Sequence, residues 1–236
     1  MIMNRPPPPT VALLFSGGLD SSIAVGHLLT QGHRVQPIYV ALGLAWEAPE
    51  LQSAKTFLRA IATARLESLQ VLEMPARDLY GDHWSITGVG VPDAHSPDEA
   101  VYLPGRNPLL LLKARMWCQL QGIDSLALGC LGSNPFADAS EEFLAEFGRL
   151  LDRATDSVVH VFRPLANHTK RQVMQLGREL PLAHTFSCID PRDGLHCGRC
   201  NKCAERRQAF RALAMQDPTD YAVAVTASNT LSVLSR

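Results

Sequence analysis

The stretch Thr10–Ser22, TVALLFSGGLDSS, decides the fold. It opens with Thr10–Phe15, an apolar run typical of a buried strand. The segment Asp20–Gln31 has helical spacing and stops at Gly32, a residue type favoured just after a helix. The glycine-containing turn Ser16–Ser22 joins the two. The stretch therefore predicts a strand that passes through a tight turn into a helix.

The composition of this turn is suited to binding an anion. Gly17 and Gly18 let the backbone turn tightly and approach a ligand closely. Backbone N–H groups at the start of the helix then point at the anion, aided by the helix dipole. The Walker A and GxGxxG patterns are both absent, and a plain glycine turn capped by Asp20 is the alternative interpretation. The predicted phosphate-binding residues are Ser16, Gly17, Gly18, Leu19, Asp20, Ser21 and Ser22.

Strand-like and helix-like segments alternate along the rest of the chain, which predicts parallel strands with helices on both faces of the sheet. The further predicted strands are Val35–Val40, Gln70–Met74, Ser125–Gly129 and Val158–Arg163, and the further helices are Glu47–Ala64, Pro108–Gln121, Ser140–Ala154 and Thr169–Leu180. Only Pro75–Asn107 breaks the pattern, and a loop of that length is typical of a lid or a disordered segment. Asp93, His95, Asp98 and Glu99 in this loop form either a solvated lid or a Mg²⁺ site.

Length and composition limit the possible architectures and partners. The 236 residues, 46% hydrophobic and 19% charged, suffice for one large domain, or for one domain with a small appendage. No apolar run is long enough to span a bilayer, and the N-terminus lacks a secretory apolar region, so we expect a cytoplasmic protein without a membrane partner. The net charge of −1 and the lack of a Lys/Arg run argue against a stable nucleic-acid partner.

The cysteines form the second informative motif. Four of the six are Cys188, Cys197, Cys200 and Cys203. In a cytosolic chain such a cluster is more often a metal site than a set of disulfides. Zinc accepts four thiolates tetrahedrally, which leaves no position for water, so we interpret the cluster as a structural zinc knuckle. A disulfide pair, a redox CxxC or an iron–sulfur cluster are the alternatives, and His196 could replace one ligand.

These patterns divide the chain into three parts. Residues 1–9 are a proline-rich lead-in, residues 10–187 form the phosphate-binding α/β domain, and residues 188–236 contain the cysteine knuckle, a helix and a tail.

The two motifs together resemble the 7-cyano-7-deazaguanine synthase family, the QueC/ExsB group of the N-type ATP pyrophosphatases, or PP-loop enzymes. The resemblance extends from Val11 to about Tyr221. Besides SGGLDSS at 16–22, it is carried by YLPGRN at 102–107, by PL at 164–165 with TK at 169–170, by FSC at 186–188, by CGRCNKC at 197–203 and by DPTDY at 217–221.

The resemblance implies a fold and a reaction. The fold is the Rossmann-like adenine-nucleotide hydrolase fold with a C-terminal zinc knuckle, usually as a homodimer with one Zn²⁺ per chain. The enzyme is a carbon–nitrogen ligase that uses ATP and Mg²⁺ and releases AMP and pyrophosphate. It adenylates the carboxylate of 7-carboxy-7-deazaguanine, forms the amide with ammonia, and converts the amide with a second ATP to the nitrile preQ0 in queuosine biosynthesis.

The resemblance also assigns roles to individual residues. Lys170 and Arg106 neutralise the charge that builds as the bond between the α and β phosphates breaks, and Asp20 holds Mg²⁺ or caps the helix. Arg106, Asn107 and Asp138 are the implied contacts to the acceptor substrate.

Two stretches depart from the family pattern. Residues 41–47 keep only the glycine of the family's YGQ(R/K)H segment, and residues 134–140 keep Asp138 in place of the Asp of YPDCR. Trp46 in the first stretch could stack on adenine or on the acceptor, or pack in the core. The alternative functions are a PP-loop adenylating enzyme with another acceptor, such as an amidating ligase or a tRNA-thiolating enzyme, and a catalytically silent nucleotide-binding protein.

Overall fold

The structure, a computed structural model, describes residues 9–222. The predicted lead-in, apart from Pro9, and residues 223–236 of the predicted tail lie outside the described residues.

A single five-stranded sheet organises the described residues, and each strand corresponds to a predicted one. Its strands are β1 (Thr10–Leu14), β2 (Arg34–Ala41), β3 (Gln70–Glu73), β4 (Ser125–Leu128) and β5 (His160–Phe162). The order is β3-β2-β1-β4-β5, and all four pairings are parallel. The predicted α/β class is therefore confirmed.

Six helices of seven or more residues accompany the sheet in the described part of the chain. They are α1 (Leu19–Thr30), α2 (Glu47–Ala60), α3 (Arg106–Leu120), α4 (Glu141–Thr155), α5 (Lys170–Leu176) and α6 (Asn201–Arg211). The predictions for α2 and α5 were too long: α2 ends at Ala60 rather than Ala64, and α5 ends at Leu176 rather than Leu180. Gly177, which follows α5, packs directly on α1. A Cβ at Gly177 would lie 2.5 Å from Cγ1 of Ile23. The prediction for α3 began too late, because Pro108 fits the first turn of a helix that starts at Arg106.

Helices cover both faces of the sheet. Successive residues of a strand point to opposite faces, and the buried residues accordingly fall into two core clusters. Ala12 and Leu126 pack with α3 and α4 on one face. Val11, Leu13 and Ala127 pack with α1, α2, α5 and α6 on the other. The core of the molecule is therefore divided by the sheet into two layers.

The loop over residues 75–107 is more ordered than its composition predicts. It contains short helical turns at Arg77–Tyr80, Trp84–Thr87 and Asp98–Val101. Its middle is fastened to the start of α6, where the Asn201 N–H donates to the Pro92 carbonyl at 3.0 Å and the Asn201 side-chain amide donates to the Ser96 carbonyl at 2.8 Å. The segment thus packs against the cysteine knuckle.

Asp93 in this loop closes a local turn. One of its carboxylate oxygens accepts hydrogen bonds from the backbone N–H groups of His95 and Ser96, at 2.9 and 3.0 Å. These bonds hold the pKa of Asp93 below its usual range.

The strand order places the predicted phosphate-binding turn Ser16–Ser22, here called the phosphate turn, at a topological switch point. The chain moves from β1 through β2 to β3 on one side and then returns to the other side of β1 as β4 and β5. Open α/β sheets bind ligands at the carboxyl ends of strands where the order reverses. Gly129, just after β4, packs so closely on α1 that a Cβ there would lie 2.7 Å from Cα of Ser21.

Among the described residues, no helix has both the length and the apolar character needed to cross a bilayer.

Candidate functional site

The turn after β1 is held in one conformation by its neighbours. Gly17 has φ of +78°, and a Cβ there would lie 2.9 Å from Cβ of Ala54 in α2, so both conformation and space require glycine. The Phe186 N–H donates to the Gly17 carbonyl at 2.8 Å. The hydroxyls of Ser16 and Ser21 lie 3.2 Å apart and are hydrogen-bonded to each other. The sheet, α2 and the segment before the knuckle therefore fix the turn together.

The start of α1 leaves polar groups available to a ligand. Gly18 precedes the helix and provides no side-chain cap, which leaves the N–H groups of the first turn without a side-chain acceptor. The fully buried hydroxyl of Ser22 has no hydrogen-bond partner. The interpretation of the turn as one capped by Asp20 is wrong, because the Asp20 carboxylate is paired with Lys170 instead. A helix N-terminus with such N–H groups is suited to binding an anion such as phosphate.

Asp20 and Lys170, which are 150 residues apart in the chain, form an ion pair beside the turn. Nζ of Lys170 lies 2.8 and 3.0 Å from the two oxygens of Asp20. The same ammonium lies 3.6 Å from a carboxylate oxygen of Glu205 in α6. Burial lowers the pKa of Lys170, but the two carboxylates outweigh it and leave that pKa raised. Lys170 is therefore a fixed positive charge next to the phosphate turn.

The predicted acceptor contacts Asn107 and Asp138 are brought together. The side-chain amide of Asn107 donates to one oxygen of the buried Asp138 at 2.9 Å. The other oxygen of Asp138 and Nε of Arg106 are both buried without a partner. A buried group left unpaired costs about 1–3 kcal/mol. An acceptor and a donor are thus both left unsatisfied in the group of predicted substrate residues.

Aromatic side chains lie near these polar groups. The rings of Tyr102 and Phe136 lie 5.1 Å apart between centroids, and the hydroxyl of Tyr80 donates to the Pro104 carbonyl at 3.0 Å. Burial raises the pKa of Tyr80, Arg106 lowers it and Asp138 raises it, so this tyrosine lies near both charges. Polar groups flanked by aromatic rings suit a planar heterocycle with N–H donors.

Sequence reasoning missed a buried carboxyl group in α2. The Tyr39 hydroxyl donates to Glu50 at 2.6 Å, and both side chains are buried. Burial raises the pKa of Glu50 to about 7, opposed by the Tyr39 hydrogen bond and by Arg106. A signal was present, because the buried face of α2 is Glu50, Ala54, Phe57 and Leu58, which puts a charged residue on an apolar face at helical spacing.

In the altered stretch after β2, residues 41–47, the Glu47 carboxylate closes a local turn. Glu47 accepts hydrogen bonds from the backbone N–H groups of Leu42 and Gly43, at 2.5 and 2.9 Å. Trp46 is only 4% exposed and stacks on Trp84 with centroids 5.7 Å apart. The structure therefore supports core packing of Trp46 rather than stacking on adenine or on the acceptor.

Cys130 lies at the end of β4, near Asp20 and Arg163. Burial raises the pKa of its thiol to about 11, against the opposing effect of Arg163. A thiol with so high a pKa is protonated near neutral pH and is a poor nucleophile. Arg163, which donates to the Leu131 carbonyl at 3.4 Å, is another charged residue near the turn that the sequence did not reveal.

The four knuckle cysteines fit a zinc ion. Their sulfurs are buried and lie within 4.8 Å of one another. Cys188 and Cys200 are 3.8 Å apart and Cys197 and Cys203 are 3.9 Å apart between sulfurs, close to the ~3.8 Å edge of a tetrahedron with Zn–S bonds of ~2.3 Å. All four are free thiols, so no disulfide joins them.

The surroundings of the sulfurs also suit bound thiolates. Backbone N–H groups point at them, from Cys197 to the sulfur of Cys188 at 3.2 Å and from Cys200 to that of Cys197 at 3.3 Å. His196 is not part of the set, because its Nε2 accepts a hydrogen bond from the Ser187 N–H at 3.1 Å. Burial, together with Arg206, lowers the pKa of His196 to about 3 and keeps it neutral.

Comparison with known proteins gives consistent matches over most of the chain. The family model described as queuosine biosynthesis protein QueC matches residues 10–214. The 7-cyano-7-deazaguanine synthase of Anaeromyxobacter dehalogenans is 30% identical, over 89% of this chain and 94% of that protein. The 7-cyano-7-deazaguanine synthase of Solidesulfovibrio magneticus is 29% identical, over 93% and 98%.

Among solved structures, a predicted subunit of tRNA methyltransferase from Methanocaldococcus jannaschii superposes with a TM-score of 0.48. It has 16% sequence identity and covers 72% of this chain and 75% of that one.

Proposed function

We propose, because the chain belongs to the QueC family of queuosine biosynthesis proteins, that it is an ATP-dependent ligase that makes a nitrile from a deazapurine carboxylate. Its acceptor is 7-carboxy-7-deazaguanine, its nitrogen source is ammonia and its product is 7-cyano-7-deazaguanine. The observation that carries the proposal is the phosphate turn with its Asp20–Lys170 pair at the switch point of the sheet.

The chemistry explains why such an enzyme needs ATP. A carboxylate oxygen is a poor leaving group, and bonding it to the α phosphate of ATP, with loss of pyrophosphate, makes it a good one. Ammonia then attacks the carbonyl carbon, AMP leaves with the former carboxylate oxygen, and a proton is released to give the amide. The amide oxygen attacks a second ATP in the same way, and elimination of AMP with loss of two protons leaves the nitrile.

The protein contributes position and charge to these steps. The N–H groups at the start of α1 and the hydroxyls of Ser16, Ser21 and Ser22 bind the pyrophosphate. Lys170 neutralises the charge that develops as pyrophosphate leaves. Asp20 would hold Mg²⁺, which would shield the phosphate charges. Because the groups are fixed before the substrate arrives, little reorganisation is needed.

The acceptor would bind where the unpaired polar atoms lie. Asp138 would accept hydrogen bonds from the N–H groups of the ring, and Arg106 would donate to the acceptor carboxylate. Because Asp138 and Arg106 each bury an atom without a partner, a ligand with the complementary groups gains two hydrogen bonds that the free protein lacks. Tyr80, Tyr102 and Phe136 provide apolar surface for the ring.

Zn²⁺ at Cys188, Cys197, Cys200 and Cys203 is proposed to be structural, one ion per chain. Four thiolates complete a tetrahedron, so the ion supplies folding energy and no open coordination position. We further propose a cytoplasmic homodimer, with residues 10–187 and 188–236 as the ATP-binding domain and its knuckle-containing C-terminal part.

A second candidate is a PP-loop ligase that adenylates a different carboxylate. It is favoured by the stretch after β2, where Leu42, Leu44 and Trp46 are buried in the core and provide no polar contact to an acceptor. A site that has lost polar partners discriminates less well in favour of a ligand that needs them.

The test is to incubate purified protein with ATP, Mg²⁺, ammonium and 7-carboxy-7-deazaguanine and to follow AMP and the products by mass spectrometry. Nitrile together with about two AMP per nitrile is the expected result. AMP release that requires another carboxylate would favour the second candidate. No AMP with any carboxylate would reject both, and would leave a nucleotide-binding protein without catalysis.

A further inference from the structure

Lys170 lies between two carboxylates that come from different parts of the chain. Asp20 belongs to the phosphate turn, and Glu205 belongs to α6, the helix that continues the cysteine knuckle. We propose that Glu205 is a positioning residue that holds Lys170 at the phosphate turn and thereby makes adenylation depend on the knuckle. The proposal rests on the proposed function, in which Lys170 neutralises the leaving pyrophosphate.

The backbone of Lys170 is fixed, so only its long side chain needs to be directed. Lys170 is the first residue of α5, which begins with a reciprocal cap between Thr169 and Gln172. Its Nζ lies 2.8 Å from Asp20 and 3.6 Å from Glu205. The remaining freedom is that of a flexible four-carbon side chain, which a carboxylate on each side restricts.

Glu205 is placed by the knuckle. Residue 200, a knuckle cysteine, precedes the first residue of α6, and Glu205 follows Cys203 by two residues. The neighbouring Arg206 is buried and donates to Thr185 and to the Leu182 carbonyl, at 2.8 and 2.9 Å. The first turns of α6 are thus anchored on both sides of Glu205.

The charges around Glu205 form a continuous row. Its second carboxylate oxygen pairs with Nζ of Lys202 at 2.7 Å, so positive and negative groups alternate from Asp20 through Lys170 and Glu205 to Lys202. If Asp20 held Mg²⁺, its carboxylate would be shared and would bind Lys170 less tightly. Glu205 would then be the carboxylate that keeps the ammonium beside the turn.

The experiment compares four proteins: the unchanged chain, Glu205→Gln, Lys170→Met and the double variant. For each, kcat and the KM values for ATP and for the acceptor are measured from AMP release, and binding of pyrophosphate with Mg²⁺ is measured by titration calorimetry. Because the Glu205 side chain is 43% exposed, we expect a modest loss, about fivefold in kcat for Glu205→Gln, with KM for the acceptor unchanged.

The double variant separates a positioning role from a structural one. If Glu205 acts through Lys170, Glu205→Gln lowers neither kcat nor pyrophosphate affinity further once Lys170 is Met. Glu179→Gln is the matched control, because Glu179 is exposed and in no ion pair among the described residues, and its kcat should be unchanged. Zinc content and thermal stability should be the same in all these proteins.

Two outcomes would overturn the proposal: an unchanged kcat in Glu205→Gln, or an equal loss in the Lys170→Met background. A Lys170→Met protein with full activity and full pyrophosphate affinity would instead refute the role given to Lys170 in the proposed function. The two failures are therefore distinguishable. If Glu205→Gln loses zinc, Glu205→Asp, which keeps the charge but shortens its reach, must show an intermediate kcat for the proposal to stand.

Discussion

Replacing Gly17 by Ala tests how the phosphate turn is built. A Cβ at this position would lie 2.9 Å from Cβ, 3.1 Å from Cα and 3.3 Å from N of Ala54. Carbon atoms normally approach to ~3.5–4.0 Å, and two of these three atoms belong to the backbone of α2. No rotation of a side chain can relieve the contact, so α2 or the turn has to move.

The loss of stability expected for Gly17→Ala has two parts. A φ of +78° in a residue other than glycine costs roughly 1–2 kcal/mol, and overpacking a fitted core costs typically ~1–3 kcal/mol. Gly122→Ala is the matched control, because Gly122 has φ of +69° but no atom within 4 Å of the added Cβ. The control carries only the first cost, so Gly17→Ala should be less stable than Gly122→Ala by roughly 1–3 kcal/mol.

The assay is urea unfolding of the two variants and the unchanged chain, with zinc present, together with titration of ATP and Mg²⁺. Gly17→Ala should also bind ATP measurably more weakly than the unchanged chain does, whereas Gly122→Ala should keep the affinity of the unchanged chain. Equal stability of the two variants, or full ATP affinity in Gly17→Ala, would refute the described packing of the turn on α2.

Three further predictions concern the acceptor, the zinc and a buried acid. Asp138→Asn should raise KM for the acceptor at least about tenfold, at ~1.4 kcal/mol per decade, and leave KM for ATP unchanged; a selective rise in KM for ATP would contradict the assignment. Cys200→Ser should lose zinc by elemental analysis and fall in thermal stability, and a zinc-free variant of full stability and activity would contradict a structural role. Burial raises the pKa of Glu50 to about 7, so its contribution to stability is fully present below its unfolded pKa and is lost as pH rises through 7. Between pH 5 and 7.5 this loss of unfolding free energy is at most about 3 kcal/mol. Glu50→Gln should therefore flatten the decline in unfolding free energy over this pH range. An unaltered slope in Glu50→Gln would show that another group causes the decline.

Most of the fold could be predicted because its signals are local. Every strand and five of the six longer helices were visible as strand-like or helix-like segments, and the sixth, α6, was expected only as a helix that follows the knuckle. Some of the details that were missed depend on distant contacts. Gly177, the residue that follows α5, packs against Ile23, and nothing in the sequence around 177 shows that contact. The docking of residues 92–96 on α6 likewise depends on Asn201, about a hundred residues away.

The residues of the candidate site likewise divide into those that have a local sequence signal and those that only the fold brings together. The turn at 16–22 and the cysteines at 188–203 are contiguous or closely spaced, so chemistry alone identified them. Asp20 and Lys170 are 150 residues apart, and their proximity could be expected only from the family resemblance. Glu205 and the Tyr39–Glu50 pair escaped notice because a single charged residue in an amphipathic helix usually faces solvent. The burial of Tyr39 and Glu50 and the pairing of Glu205 with Lys170 are properties of the assembled fold.

The most direct test of the central claim is to follow the carboxylate oxygens. 7-Carboxy-7-deazaguanine labelled with ¹⁸O in its carboxylate is incubated with the enzyme, ATP, Mg²⁺ and ammonium, and the AMP is examined by mass spectrometry. Adenylation of the carboxylate and then of the amide predicts that each AMP released carries one ¹⁸O and that the nitrile carries none. Nitrile formed with unlabelled AMP, or with ADP and labelled phosphate, would contradict adenylation at the phosphate turn.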